Sequence, residues 1–176
     1  MRTHSNDNEK RRPITLRAAL KRFGLPGLDA ASAETAVYEE LPLHCVPVWP
    51  DRRYAMVAAI PPRSGSSAWM NRECELCGEV EVDEDDAACP ECRRPLLRPV
   101  TKARNGRYRL INGFRASSYR RMRPHGPAAT ITTASGQLGS DLTIHPWENR
   151  VLSPLECADL QTIPRSFKWG DALAGC

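Results

Sequence analysis

Four cysteines place the tightest limit on how this chain can fold. Cys74-x-x-Cys77 and Cys89-x-x-Cys92 stand eleven residues apart, and thiols at the ends of a short turn can converge on one ion. Gly78 follows one pair and Pro90 lies inside the other, both residues that suit tight turns. Two such turns offer four sulfurs in a tetrahedron, the donor set of structural zinc. Four thiolates leave no open position for water, which disfavours a catalytic metal; a redox pair or another metal is the alternative. Between the pairs, Glu79 to Asp86 alternates at Val80 and Val82 as a ribbon strand would, and its acidic end suits a solvated turn that points away from phosphates. So few apolar residues make little core, and the binding energy of the ion then becomes folding energy for the segment. The other three cysteines, Cys45, Cys157 and Cys176, stand alone. That pattern fits metal binding in a reducing, cytoplasmic setting better than a disulfide framework.

Charge divides the chain in two. Of the 176 residues, 1–92 carry 11 Lys/Arg against 16 Asp/Glu, and 93–176 carry 14 against 5. From Arg93 to Arg123 there are eleven basic residues and no acid. Such a run is either a soluble basic surface or a face for phosphates. The second reading makes Arg107, Arg109, Arg115, Arg120, Arg121 and Arg123 the candidate contacts to duplex DNA. No apolar run approaches the roughly 18 residues of a membrane span, and the first residues lack the apolar core of a signal peptide.

Local signals give an α+β chain with short helices. Residues 1–12 are polar and predict a disordered tail. Thr15 caps a helix whose Leu16, Ala19, Leu20 and Phe23 follow helical spacing, ended by Gly24 and Pro26. Residues 25–35 read as linker, and prolines at 42, 47 and 50 exclude a regular helix there. Asp51 is the expected cap of a helix through Tyr54, Val57 and Ala58 that stops before Pro61-Pro62. Trp69 reads as a packing residue rather than a base-stacking one. Tyr108 to Phe114 predicts a hairpin turning at Asn112-Gly113, Ala129 to Thr133 predicts a strand, and residues 135–141 a flexible loop. A further helix starts at Ser153, with Pro154 first and Glu156 closing a capping box. The boundaries expected are a lead-in over 13–70, a zinc ribbon over 71–98, a mainly β region over 99–149 and a helical end over 150–176.

From Tyr119 to Phe167 an ordered set of residues resembles the C-terminal part of DNA (cytosine-5)-methyltransferases. The matching positions are Tyr119, Arg121, Pro127, Ala128, Thr130, Ile131, Thr132, then Ile144, His145, Pro146, then Arg150, Leu152, Ser153, Glu156, Ala158, Leu160, Gln161, Pro164 and Phe167. So long an ordered match is improbable by chance. The resemblance implies a small target-recognition domain carrying an inserted zinc ribbon, followed by the family's ninth conserved motif, which braces the recognition loops. It places Thr132 against the DNA backbone near the target base and Ser135, Gly136 and Gln137 in a recognition loop; an ordinary strand and turn is the plainer alternative. Cys157 falls in the ninth-motif helix as a packing residue. Three positions depart from the pattern: Leu155 and Asp159 stand where the family usually has arginines, and Arg165 where an aspartate is common.

The resemblance covers a slice of such an enzyme. No proline precedes a cysteine, so the nucleophile motif is lacking, as are the Glu-Asn-Val carboxylate and the glycine-rich loop for S-adenosylmethionine. The family's last motif would follow residue 170, and the sequence ends at Cys176. The expectation is either the DNA-binding subunit of a split enzyme, with S-adenosylmethionine held by a separate catalytic chain, or an inactive truncated remnant. A free-standing zinc-ribbon DNA-binding protein needs only the cysteines and the basic run.

Overall fold

The computed structural model describes residues 13–79, 81–140 and 142–169. The expected tail over 1–12, Val80 and the segment after Trp169 lie outside them. Within them the chain is a mixed α+β structure of few, short elements: α1 (Leu16–Phe23), α2 (Ala33–Ala36), α3 (Asp51–Ala58), a 3-10 turn (Ala68–Met70), an antiparallel pair β1 (Val100–Lys102) and β2 (Tyr108–Leu110), and α4 (Pro154–Leu160). No helix among the described residues is long and apolar enough to cross a membrane.

Helix α1 forms where capping and periodicity agree. The Thr15 hydroxyl accepts the Ala18 N–H at 3.2 Å, Leu16 and Leu20 are buried one turn apart, and Gly24 ends the helix in the left-handed region at φ 62°. In α4 the Ser153 hydroxyl accepts the Glu156 N–H while the Glu156 carboxylate accepts the Ser153 N–H, a complete capping box ahead of Pro154. The two helices pack together over a cluster of Leu16, Leu20, Met122 and Leu152. Helix α3 spans the expected residues, but Pro50 holds the cap position and Asp51 sits inside the first turn. There its charge still faces the helix N-terminus favourably.

The main core joins Leu28, Trp49, Met56, Val57 and Ile60 from the lead-in with Leu138, Ile144 and Val151. The lead-in and the later basic region are therefore two sides of one core. Ile144 is the seam, bridged to Arg121 on one side and Val151 on the other.

Regular strand is scarcer than the sequence suggests. The only ladder among the described residues is β1–β2, with Thr101 opposite Arg109. The hairpin turns at Asn105-Gly106, where Gly106 takes φ 80°, and not at Asn112-Gly113. Both dipeptides carry the same turn chemistry; the first wins because Val100 and Leu110 pair across it, while residues 114–118 wind into a tight turn closed on the Phe114 carbonyl. Residues 129–133 form no strand, since nothing pairs beside them: β-branched residues favour a ladder only when a partner exists.

Candidate functional site

The four cysteines come together. Their sulfurs all lie within 4.8 Å of one another, with Cys74 to Cys92 and Cys77 to Cys89 each at 3.6 Å. A tetrahedral zinc with Zn–S bonds of about 2.3 Å has edges of about 3.8 Å, so the cluster can hold such an ion with little adjustment. Two backbone turns of one design build it. Cys74 N–H bonds the Glu79 carbonyl and Gly78 N–H the Cys74 carbonyl; Cys89 N–H bonds the Arg94 carbonyl and Arg93 N–H the Cys89 carbonyl, all at 2.8 to 3.0 Å. Gly78 and Arg93 hold equivalent left-handed positions, at φ 71° and 61°. Arg93 therefore does what a glycine does in the first turn, which the sequence did not disclose. Backbone N–H groups point at the sulfurs, and the Cys77 N–H, acting against burial, draws the Cys74 thiol down to about 7, while at Cys77 and Cys92 burial and the neighbouring thiols outweigh the backbone donors and push the thiols up. Donors aimed at sulfur favour the thiolate that a metal needs.

The cysteine ribbon is anchored to the body by buried polar groups. The Asn71 amide donates to the Met56 and Leu97 carbonyls at 3.0 and 2.6 Å. The Arg98 guanidinium, 1% exposed, donates to the carbonyls of Asn71, Asp83 and Asp86. Arg52 on α3 reaches the Leu96 carbonyl. Arg98 belongs to the acid-free run, yet it serves structure.

A second cluster is an extended buried polar node. Arg121 is fully buried and donates to the carbonyls of Val57, Ile60, His145 and Glu148 and to the Asn149 side chain, at 2.6 to 3.1 Å. Its expected phosphate contact is thus corrected: every donor direction is taken up inside the fold, although burial lowers its pKa only to about 10 and leaves it charged. Arg150, 1% exposed, grips Glu156 through two nitrogens at 2.5 and 2.8 Å and Glu148 through Nε at 2.7 Å. The fork geometry matches the carboxylate and offsets the cost of burying both charges.

Two histidines complete the node. His44 Nε2 lies 2.8 Å from the Pro26 carbonyl, which can only accept, so Nε2 donates there, and Nδ1 lies 3.0 Å from the Ser153 hydroxyl. His145 Nδ1 accepts the Glu148 N–H, so its proton is on Nε2. Burial first, then the charges of Arg150 and Arg121, hold His145 well below the ordinary histidine range. Cys157 packs at the edge of this region, with burial raising its thiol to about 11. Cys45 is buried and is not a lone thiol, contrary to the reading from its spacing.

The remaining candidate DNA contacts divide into occupied and open side chains. Arg115 pairs with Asp85 at 2.8 Å and lies over the Trp69 ring. Arg120 is half-buried and donates to the Gly65 carbonyl at 2.5 Å. Arg107, Arg109 and Arg123 are exposed, the first two on the hairpin. Thr132, Ser135, Gly136 and Gln137 form one turn, exposed except at half-buried Ser135: Ser135 Oγ accepts the Thr132 N–H at 2.9 Å and Ser135 N–H returns to the Thr132 carbonyl at 3.1 Å. Trp69 is buried and donates its indole N–H to Ser118, which makes it a packing residue.

One cavity of about 290 Å³ opens beside the node, between α1 and the His145–Glu148 turn. Arg17, Lys21, Arg63 and His125 line it, none of which the sequence singled out. Only the i, i+4 spacing of Arg17 and Lys21 on α1 hinted at a shared basic face. No protein-family model, curated protein or solved structure matches the chain.

Proposed function

We propose that this chain is the DNA-reading part of a cytosine-5 methyltransferase: it holds duplex DNA while a separate catalytic chain, which carries the cysteine nucleophile and S-adenosylmethionine, methylates a cytosine. One observation carries the reading. Arg121, more than twenty positions before the others, meets Ile144, His145, Arg150, Ser153 and Glu156, residues on which the resemblance to the family rests, in one buried assembly. A bracing role for that motif requires such a convergence. A second observation agrees with it. Asp159 and Arg165, two of the departures from the family pattern, are partners in one ion pair at 2.7 Å, which supports a brace with its charges exchanged.

In this reading structural zinc on Cys74, Cys77, Cys89 and Cys92 fixes the ribbon, and Arg107, Arg109 and Arg123 meet phosphates. The turn holding Thr132, Ser135, Gly136 and Gln137 faces the bases. Arg115 and Arg120 add charge near that surface while serving their internal partners. A free-standing zinc ribbon fits less well, because Asn71, Arg98 and Arg52 tie the ribbon into the body. Holding DNA in register can lower a barrier by several kcal/mol without touching the reacting bond. The test is transfer of tritiated methyl groups to cytosine-containing duplex DNA by the chain alone, by the catalytic half of a related split enzyme, and by both. The expected result is no transfer by the chain alone and stimulation by the pair; transfer by the chain alone contradicts the proposal, and no stimulation with any cognate half favours an inactive remnant.

A further inference from the structure

The basic side chains of this protein are not equivalent. Arg98, Arg121 and Arg150 are buried and occupied, and Arg115 and Arg165 pair with Asp85 and Asp159. Arg17, Lys21 and Arg63 are exposed, and none has an acidic partner among the described residues. All three nevertheless line one cavity, together with His125. Like charges gather in this way at a cost unless an anion offsets it.

Backbone bonds hold the cluster in place. Leu16 and Arg17 at the start of α1 donate to the carbonyls of Gly126 and Pro124 at 2.7 and 2.9 Å, which sets His125 beside Arg17. Arg63 donates its N–H to the Pro146 carbonyl at 2.7 Å and sits at φ 64°, a left-handed conformation uncommon for a residue with a side chain. Such strain persists where the surroundings impose it, and it gathers at ligand sites. Two carboxylates also line the cavity, Glu148 and Glu156, but both are bound by Arg150. The inner wall is therefore satisfied, and the rim carries the uncompensated positive charge. At about 290 Å³ the hollow lies at the small end of ligand sites, which begin near 300 Å³, a size for one charged group with a short attachment.

We infer that this cavity is a phosphate subsite, in which Arg17, Lys21, Arg63 and His125 take one backbone phosphate of the duplex. The inference rests on the DNA-reading proposal for its ligand and adds a contact outside the acid-free run. It extends the DNA-facing surface to α1 and to the turn after Pro61-Pro62.

The experiment compares the zinc-loaded chain with a triple variant, Arg17→Ala, Lys21→Ala and Arg63→Gly. The glycine suits the left-handed backbone, and the alanines sit at exposed helix positions, so the variant should keep its thermal midpoint and zinc content. Duplex DNA affinity is measured by fluorescence anisotropy across salt, and His125 ring resonances are followed during titration with inorganic phosphate. The expected result is binding weakened roughly tenfold at low salt, with the slope of log K against log salt shallower by about 0.9, the share of one phosphate. Unchanged affinity and slope overturn the subsite while leaving the DNA-reading proposal intact. If the parent chain binds no duplex, yet inorganic phosphate shifts His125 in it and not in the triple variant, the DNA-reading proposal fails and the phosphate subsite stands for a free ligand. No duplex binding and no His125 response overturn both.

Discussion

The cysteine ribbon has little hydrophobic material and the node around Arg150 sits among buried apolar residues, and the two are held by different means. The ribbon buries Cys74, Val82, Cys89 and Leu96 and little else. Its two turns come together at four sulfurs, so beyond the bonds of Arg98 its cohesion depends on what those sulfurs bind. The node buries Arg121, His145, Arg150, Ser153 and Glu156 beside a large apolar core, and its cohesion is made by the chain's own hydrogen bonds and ion pairs. The difference teaches where each region is vulnerable. A cross-link through an ion is lost with the ion, whereas a cross-link through buried charge is lost when one partner is removed and the other is left behind.

The largest expected effect separates the two directly. With zinc as the proposed ion on the four sulfurs, its chelation should remove a binding free energy on the order of 10 kcal/mol from the ribbon. Amide hydrogen exchange should then lose protection over residues 74–96 while protection in α1 and α4 persists. Simultaneous loss in both regions would show that they fold as one unit and would erase the distinction.

The converse experiment acts on the node. Arg150→Met leaves the carboxylates of Glu148 and Glu156 buried without their shared cation, which should cost about 3–5 kcal/mol. Denaturant unfolding measures that loss, and zinc content should not change. A cost below about 1 kcal/mol would mean that the buried pair is not holding the body together.

Acid should weaken the node through His145. His145 has a folded pKa well below its ordinary value, so below about pH 6.5 the unfolded chain takes up a proton that the folded chain refuses. Stability therefore falls as pH drops from 6.5 toward the folded pKa, and above 6.5 this contribution is flat. His145→Gln should remove that part of the decline when unfolding midpoints are compared between pH 7.5 and 5.5; an identical decline in both proteins would assign it to other groups.

The smallest effect lies in the second cysteine turn. Arg93 sits at φ 61° where the first turn has Gly78, and the left-handed region costs a residue with a side chain roughly 1–2 kcal/mol. Arg93→Gly should recover part of this, offset by the freedom glycine gains when unfolded. The net gain expected is below about 1 kcal/mol, read as slower zinc release. Faster release would mean that the Arg93 side chain contributes more than its backbone costs.

What could be read from the sequence follows the reach of each signal. Thr15, Gly24, Ser153, Pro154 and Glu156 act within one helical turn, and both helices they bound appear where expected. The cysteine spacing likewise states its own geometry. Arg121 and Arg123 could not be told apart, because what buries Arg121 is its bridge to Ile144, a residue more than twenty positions away. For the same reason the first Asn-Gly turns a hairpin and the second does not. The cavity cluster was hidden more deeply: Arg17, Lys21, Arg63 and His125 have no common motif, and only backbone bonds between distant segments bring them together.

The most direct test of the DNA-reading account is the salt dependence of duplex binding by the zinc-loaded chain alone. Three exposed arginines, Arg107, Arg109 and Arg123, with one phosphate in the cavity make about four neutralised phosphates. The account predicts measurable binding whose log K falls against log salt with a slope of about −3.6. Absence of binding at low salt, or binding indifferent to salt, would contradict it.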